Sequence, residues 1–194
     1  MGPQGPAVSK GNIRRMTRKL AFMTIGVLYE AFGEPRSQGF VDRIPAVFAA
    51  ADVSDGFVAR SVRDMESFER SWGEVEIPEC LSAIEDPLRL PSTLSIWDDL
   101  ESVAAYAYHG AHGEAMARRR EWFLRHDAPT YVAWWTEDAE KIDPQDAKAR
   151  IDHLHKNGPT AFAFNFSKPF DANGNPCTLS QAAVKAKIAA NEPR

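Results

Sequence analysis

Between Ser95 and Trp135 the chain sets two histidines, His109 and His112, among Trp97, Tyr106, Tyr108, Trp122, Trp134 and Trp135, with a basic run at Arg118-Arg119-Arg120. An imidazole beside indole and phenol rings suits proton transfer near neutral pH on a flat hydrophobic substrate, or axial ligation of a haem iron. The ordinary alternative is a histidine that hydrogen-bonds a backbone carbonyl or a Trp at the core edge. The arginine run could hold an anion, but cations belong in the last turn of a helix, and Glu114 and Glu121 give them local partners. His153 and His155 are two residues apart and so face different sides of a helix, where they complement its C-terminal dipole. There is no HExxH, CxxC or Cys/His cluster, so neither zinc nor non-haem iron is indicated.

The elements that position these groups follow from hydrophobic period. Leu20 to Leu28 reads as a buried first strand. Phe40, Val41, Ile44, Val47, Phe48 and Ala51 recur at helical spacing after an N-cap at Ser37, with Pro45 kinking or starting that helix. Phe57 to Arg63 alternates as a second strand, with Arg60 and Arg63 on opposite faces. Residues 64 to 91 form an excursion broken by Pro78, Pro87 and Pro91. Thr93 to Trp97 is a third strand, and Asp98 or Asp99 caps one helix whose apolar stripe is Leu100, Val103, Ala104, Ala107, Ala111 and Ala115. His112 falls on the flank of that stripe and His109 one turn before it. Tyr131 to Trp135 is a fourth strand that sends Trp134 and Trp135 to opposite faces. A helix from Pro144 to Lys156 stops at Asn157-Gly158-Pro159, an edge strand follows at 161–166, and a short helix closes the chain at Gln181–Ala190. The class is α+β, with the β-α-β-β-α-β order of a ferredoxin-like split unit.

A chain of 194 residues with 44% hydrophobic and 26% charged residues has the size and composition of one globular domain. A formal charge of −4 provides no field for nucleic acid or an anionic membrane, and the apolar run near the N-terminus is too short to span a bilayer. Cys80 and Cys177, far apart and without a secretory signal, suit a reduced, cytoplasmic protein. Residues 1–18 read as a disordered or flexible leader, 19–172 as the domain, and 173–194 as a tail with a short helix.

Several blocks resemble one family in order: Gly26-Val27-Leu28, Gln38-Gly39-Phe40-Val41-Asp42-Arg43-Ile44-Pro45, Gly56-Phe57-Val58-Ala59-Arg60-Ser61, Ser95 to Val103, His112 with Arg119-Arg120-Glu121-Trp122-Phe123, and Gly158-Pro159-Thr160 with Ala163 to Phe166. Over residues 19 to 172 the chain is similar to the bacterial domain of unknown function 3291. The resemblance implies a dimeric α/β barrel like that of the antibiotic-biosynthesis monooxygenases, in which two subunits pack sheet against sheet and a ligand lies between sheet and helices. The expected partners are a second copy and a hydrophobic small molecule. The expected site has His112 as catalytic group, with Phe22, Arg60, Trp97, Tyr108, His109, Trp134 and Trp135 around the ligand and Arg60 as anion anchor. The expected activity is a small-molecule oxygenase or related redox enzyme acting on an aromatic substrate without a resident cofactor. The alternatives are a haem protein with His112 or His109 as axial ligand, and a non-catalytic binding or accessory protein on the same fold.

Overall fold

The computed structural model describes residues 18–64, 66, 67 and 69–192. Apart from Arg18, the expected leader lies outside them. The architecture is α+β, a four-stranded antiparallel sheet with several helices. Its strands are β1 (Lys19–Ile25), β2 (Phe57–Arg60), β3 (Ser92–Trp97) and β4 (Tyr131–Thr136), in the order β2-β3-β1-β4. The helices are α1 (Gln38–Val41), α2 (Ile44–Asp52), α3 (Leu100–Ala107), α4 (Gly110–Arg118), α5 (Pro144–Asn157) and α6 (Gln181–Asn191).

β1 is one of the two interior strands, and its run of apolar residues from Leu20 to Met23 is buried on both faces. Phe22 pairs with Ser95 of β3 and with Ala133 of β4, which fixes the register. Leu20, Phe22, Trp97, Ala133 and Trp135 pack on one side with α2, α3 and the segment 164–179. Ala21, Met23, Ile25, Leu94, Ile96, Val132 and Trp134 pack on the other, against Ile142, Ala147, Ile151 and Leu154 of α5 and its approach, and against Trp72, Val75, Ile77 and Leu81 of the proline-broken excursion. This second face is the one on which a sheet-to-sheet homodimer was expected. It is covered by the chain's own excursion and α5, and Met23, Ile96 and Val132 have no exposed surface. No uncovered apolar sheet face remains on this side among the described residues.

Past β1 the chain continues alongside the segment after α4: Tyr29 N–H donates to Trp122 O at 2.9 Å and Leu124 N–H to Val27 O at 2.7 Å. Gly26 is needed here, since a Cβ would lie 2.5 Å from the Phe123 ring. Gly56 is needed twice over: its φ is +77°, and a Cβ would lie 2.1 Å from Ser102 Oγ. Ser102 is held in turn by the Asp99 N-cap, whose Oδ1 accepts from both its N–H and its hydroxyl at 2.8 Å.

Three local expectations are corrected. The first helix is two short ones, of which α2 starts at Ile44-Pro45 as one of the two expectations had it, and the Ser37 side chain does not cap α1: its hydroxyl bonds Ala31 O and Glu34 O. The helix after β3 breaks at the corner 108–110, where His109 is extended and Gly110 takes φ +56°. The edge strand at 161–166 shrinks to one bridge, Ala133 with Phe164, because a tight turn between Thr160 and Ala163 uses up the neighbouring backbone groups.

Candidate functional site

The break between α3 and α4 decides what each histidine can do. Past it, His112 lies in the first turn of α4, and its Nδ1 is 2.7 Å from the carbonyl of Ala107, the last residue of α3. A helix end leaves carbonyls without intrahelical partners, and the imidazole supplies one. That bond makes Nδ1 the protonated nitrogen of the neutral ring. Burial lowers the pKa of His112, with the Ala107 bond opposing it in part, so the ring is neutral at pH 7. Its face packs 4.8 Å from the Tyr106 ring, which stacks on Trp97 at 5.1 Å, and Trp97 meets Phe57 edge-on at 5.2 Å. Tyr106 in turn donates to Val47 O at 3.2 Å, and burial raises its pKa.

The cavity expected between sheet and helices is filled by these rings. Phe22 and Trp97 are core residues of one sheet face, while Trp134 is a core residue of the other, so they cannot share a ligand. Trp135 lies on the Phe22 side and donates its indole N–H to Phe170 O at 2.8 Å. Arg60, expected as an anion anchor, grips Asp52 at 2.8 and 3.1 Å with its guanidinium 4.3 Å from the Phe48 ring centre. Arg118 is likewise paired with Glu121 through two bonds of 2.8 and 2.7 Å.

Two of the expected residues do come together at a cavity. Tyr108 and His109, on the exposed corner before α4, line a cleft of about 240 Å3 with Ala104, Phe166, Leu179, Gln181 and Val184. Its floor adjoins an aromatic group in which Phe166 lies 5.9 Å from Phe22, 5.4 Å from Tyr131 and 6.1 Å from Tyr108. The Tyr131 hydroxyl accepts the Phe166 N–H at 3.2 Å. Burial is the main cause that pushes the Tyr131 pKa up to about 12. The side chains of His109 and Gln181 make no hydrogen bond among the described residues, so both are free to meet a ligand.

A larger, shallower groove of about 550 Å3 lies beside α5 and offers less chemistry. Its Cys80 thiol is pushed up to about 11 by burial and then by the Asp152 charge, so it is a protonated, weak nucleophile. His153 there is occupied by Thr160 at 2.9 Å and Asn157 at 3.2 Å. Among the described residues no group of three or more His, Cys, Asp or Glu is placed to hold a metal, and no helix is long and apolar enough to cross a membrane.

Haem does not fit either histidine. The Nδ1 bond of His112 orients its ring as an axial ligand would be oriented, but the ring faces Tyr106 and lines neither cavity. The cleft beside His109 falls below the range of about 300–1,000 Å3 usual for drug-sized ligands, too small for a macrocycle.

Phe166, Leu179, Gln181 and Val184 were missed as site residues. Only Phe166 carried a signal, as an aromatic in an alternating run. The other three reach the cleft because α6 packs on α3, where Val184 meets Ala104 and Ala105.

No curated protein matches the chain. Among solved structures it is similar to a protein of unknown function, NE2512, from Nitrosomonas europaea, with 11% identity and a TM-score of 0.42 over 66% of this chain and 97% of that one. It is also similar to a conserved protein from Methanosarcina mazei Go1, with 9% identity and a TM-score of 0.39 over 66% and 96%, and to PA3566 from Pseudomonas aeruginosa, with 8% identity and a TM-score of 0.39 over 62% and 94%. The family model for a domain of unknown function, DUF3291, matches residues 19–180, and the chain belongs to that family.

Proposed function

We propose that the protein binds a small, mainly apolar molecule in the cleft between α3, α4 and α6, and acts on it as a small-molecule oxygenase or related redox enzyme. The observation that supports this is the convergence of apolar walls with a few polar groups: Phe166, Leu179 and Val184 around Tyr108, His109 and Gln181. In this reading His109, exposed at the cleft mouth, is the proton-transfer group, and an electron-rich aromatic substrate itself supplies electrons to oxygen. The strand order, with helices in both crossovers, supports the ferredoxin-like split unit as the scaffold. The oxygenase class rests on the resemblance to the monooxygenase-like barrels.

The test is a ligand-observed NMR screen of small aromatic compounds against the wild type and Leu179→Trp, followed by oxygen uptake with electron-rich hits. Binding that disappears in Leu179→Trp while its melting temperature holds supports the cleft. His109→Ala should then lower oxygen uptake by about 100-fold, the scale of a lost general acid–base group. Hits that bind Leu179→Trp as well as wild type overturn the site, and hits that bind but consume no oxygen overturn the reaction class.

A further inference from the structure

We infer that α6 is a hinged strap that opens and closes the cleft while the rest of the fold stays intact, with Lys187 as its latch; that it gates a ligand rests on the cleft being a small-molecule site. The way the strap is held sets it apart from α5. That helix seats Ala147, Ile151 and Leu154 in the core at 4% exposure or less, whereas α6 buries Val184 alone. Val184 meets Ala104 and Ala105 of α3, with Ile188 half-buried beside them. A seat made of methyl groups has little apolar area to lose on opening. The remaining ties are polar and sit at the two ends. At the near end Ser180 N–H donates to Glu101 at 2.9 Å. At the far end Lys187 Nζ reaches Asp55 at 2.8 Å and Asp99 at 3.4 Å, and the Asn191 side-chain oxygen accepts the Asp55 N–H at 2.7 Å.

Lys187 thereby ties the strap to the turn before β2 and to the N-cap of α3 at once. Its side chain is 18% exposed, so the ammonium has exchanged most of its water for two carboxylates, and either salt or loss of the cation loosens the strap. The hinge lies just before α6. Cys177 N–H is fixed to Pro169 O at 3.0 Å, and residues 178–180 run on without regular structure. The family match ends at residue 180, where the strap begins. Leu179, Gln181 and Val184 line the cleft from the strap and its hinge, while Ala104, Tyr108 and His109 line it from α3 and the corner after it. An outward swing about 178–180 therefore removes a whole wall and opens the way to Phe166.

Amide hydrogen exchange of the full chain, read residue by residue by NMR, measures the opening directly. The α6 amides should exchange about 100-fold or more faster than those of α5 and β1, the mark of a local opening. Raising NaCl from about 0.05 M to about 0.5 M should speed α6 by about twofold. Lys187→Met should speed it by about fivefold and remove most of the salt effect, with α5 and β1 unchanged. Asn191→Ala should act in the same direction. Phenol, toluene and aniline serve as single-ring probes. A probe that the cleft holds only when closed slows α6 exchange by about tenfold at ten times its Kd. Exchange of α6 at the α5 rate, or indifferent to both salt and Lys187→Met, overturns the strap. A probe whose binding is lost in Leu179→Trp, yet which leaves α6 exchange unchanged, overturns the gate and leaves the cleft standing. No binding by any of the three overturns the cleft reading and the gate with it, and the salt and Lys187→Met results still decide the strap.

Discussion

His109 and His112 differ by three positions and share a residue type, yet they occupy opposite kinds of environment. His112 is neutral, packed at a tilt against the Tyr106 ring and bonded to the last carbonyl of α3. His109 is exposed, with no hydrogen bond to its side chain among the described residues, at the mouth of a cleft. On one continuous helix they would lie on one flank, a turn apart. The corner at Gly110 turns one of them into a structural staple and the other into a free side chain. A histidine's chemistry is set by what satisfies its nitrogens, and that depends here on the backbone turn at 108–110.

The sharpest way to break this contrast is to truncate each ring in turn. His112→Ala strips a partner from the Ala107 carbonyl and removes packing on Tyr106, so it should cost about 1–3 kcal/mol. At about 2–4 °C per kcal/mol for a chain of this size, melting should drop by several degrees, while affinity for a cleft probe stays within about twofold. His109→Ala removes no contact from the core, and its stability should stay within about 0.5 kcal/mol. Thermal melts and probe titrations on both variants decide the matter. If His112→Ala melts like wild type but loses the probe, the two roles have been assigned the wrong way round.

That contrast also marks where the sequence stops being readable. The four strands were legible because Leu20 to Ile25 and Tyr131 to Trp135 are runs that only a sheet covered on both sides can bury. The helix after Pro144 was legible from its Pro start and its glycine stop, Gly158 at φ +71°. What covers the second sheet face was not, since Trp72, Val75, Ile77 and Leu81 lie in a segment with no helical or strand period. Their burial depends on strands far away in the chain. The helix break was hidden because Ala107, Ala111 and Ala115 keep a helical spacing across a glycine that costs little at positive φ. The cleft was hidden more deeply: Tyr108 and Gln181 line it because contacts distant in sequence seat α6, with Lys187 reaching Asp55 at 2.8 Å, Ser180 N–H donating to Glu101 at 2.9 Å and Val184 against the alanines of α3.

Gly110 itself gives a second, smaller test. A Cβ there would meet nothing within 4 Å, so any cost of Gly110→Ala comes from the φ of +56° alone. A left-handed non-glycine residue costs about 1–2 kcal/mol. The variant should therefore melt a few degrees lower without new packing defects. If the corner relaxes toward continuous helix instead, His109 swings away from Gln181 and probe affinity falls together with stability. A variant as stable as wild type, with unchanged binding, would show that the corner is imposed by the packing of α4 and not by glycine.

The smallest expected effect is a pH dependence carried by the buried ring. His112 has a folded-state pKa below the ordinary 6.5, chiefly because burial disfavours the imidazolium. Above pH 6.5 both folded and unfolded chains hold the ring neutral, so its contribution to stability is fully present. As pH falls below 6.5 the unfolded chain takes up a proton that the folded chain resists, and stability declines until pH passes the folded-state value. His126 is shifted in the same direction, again mainly by burial, and adds to the same window. Urea midpoints at pH 7.5, 6.5 and 5.5 should fall more steeply for wild type than for His112→Ala, and the double variant with His126→Ala should be flatter still. Parallel lines for all three proteins would mean that the His112 ring accepts a proton in place and that water reaches it there.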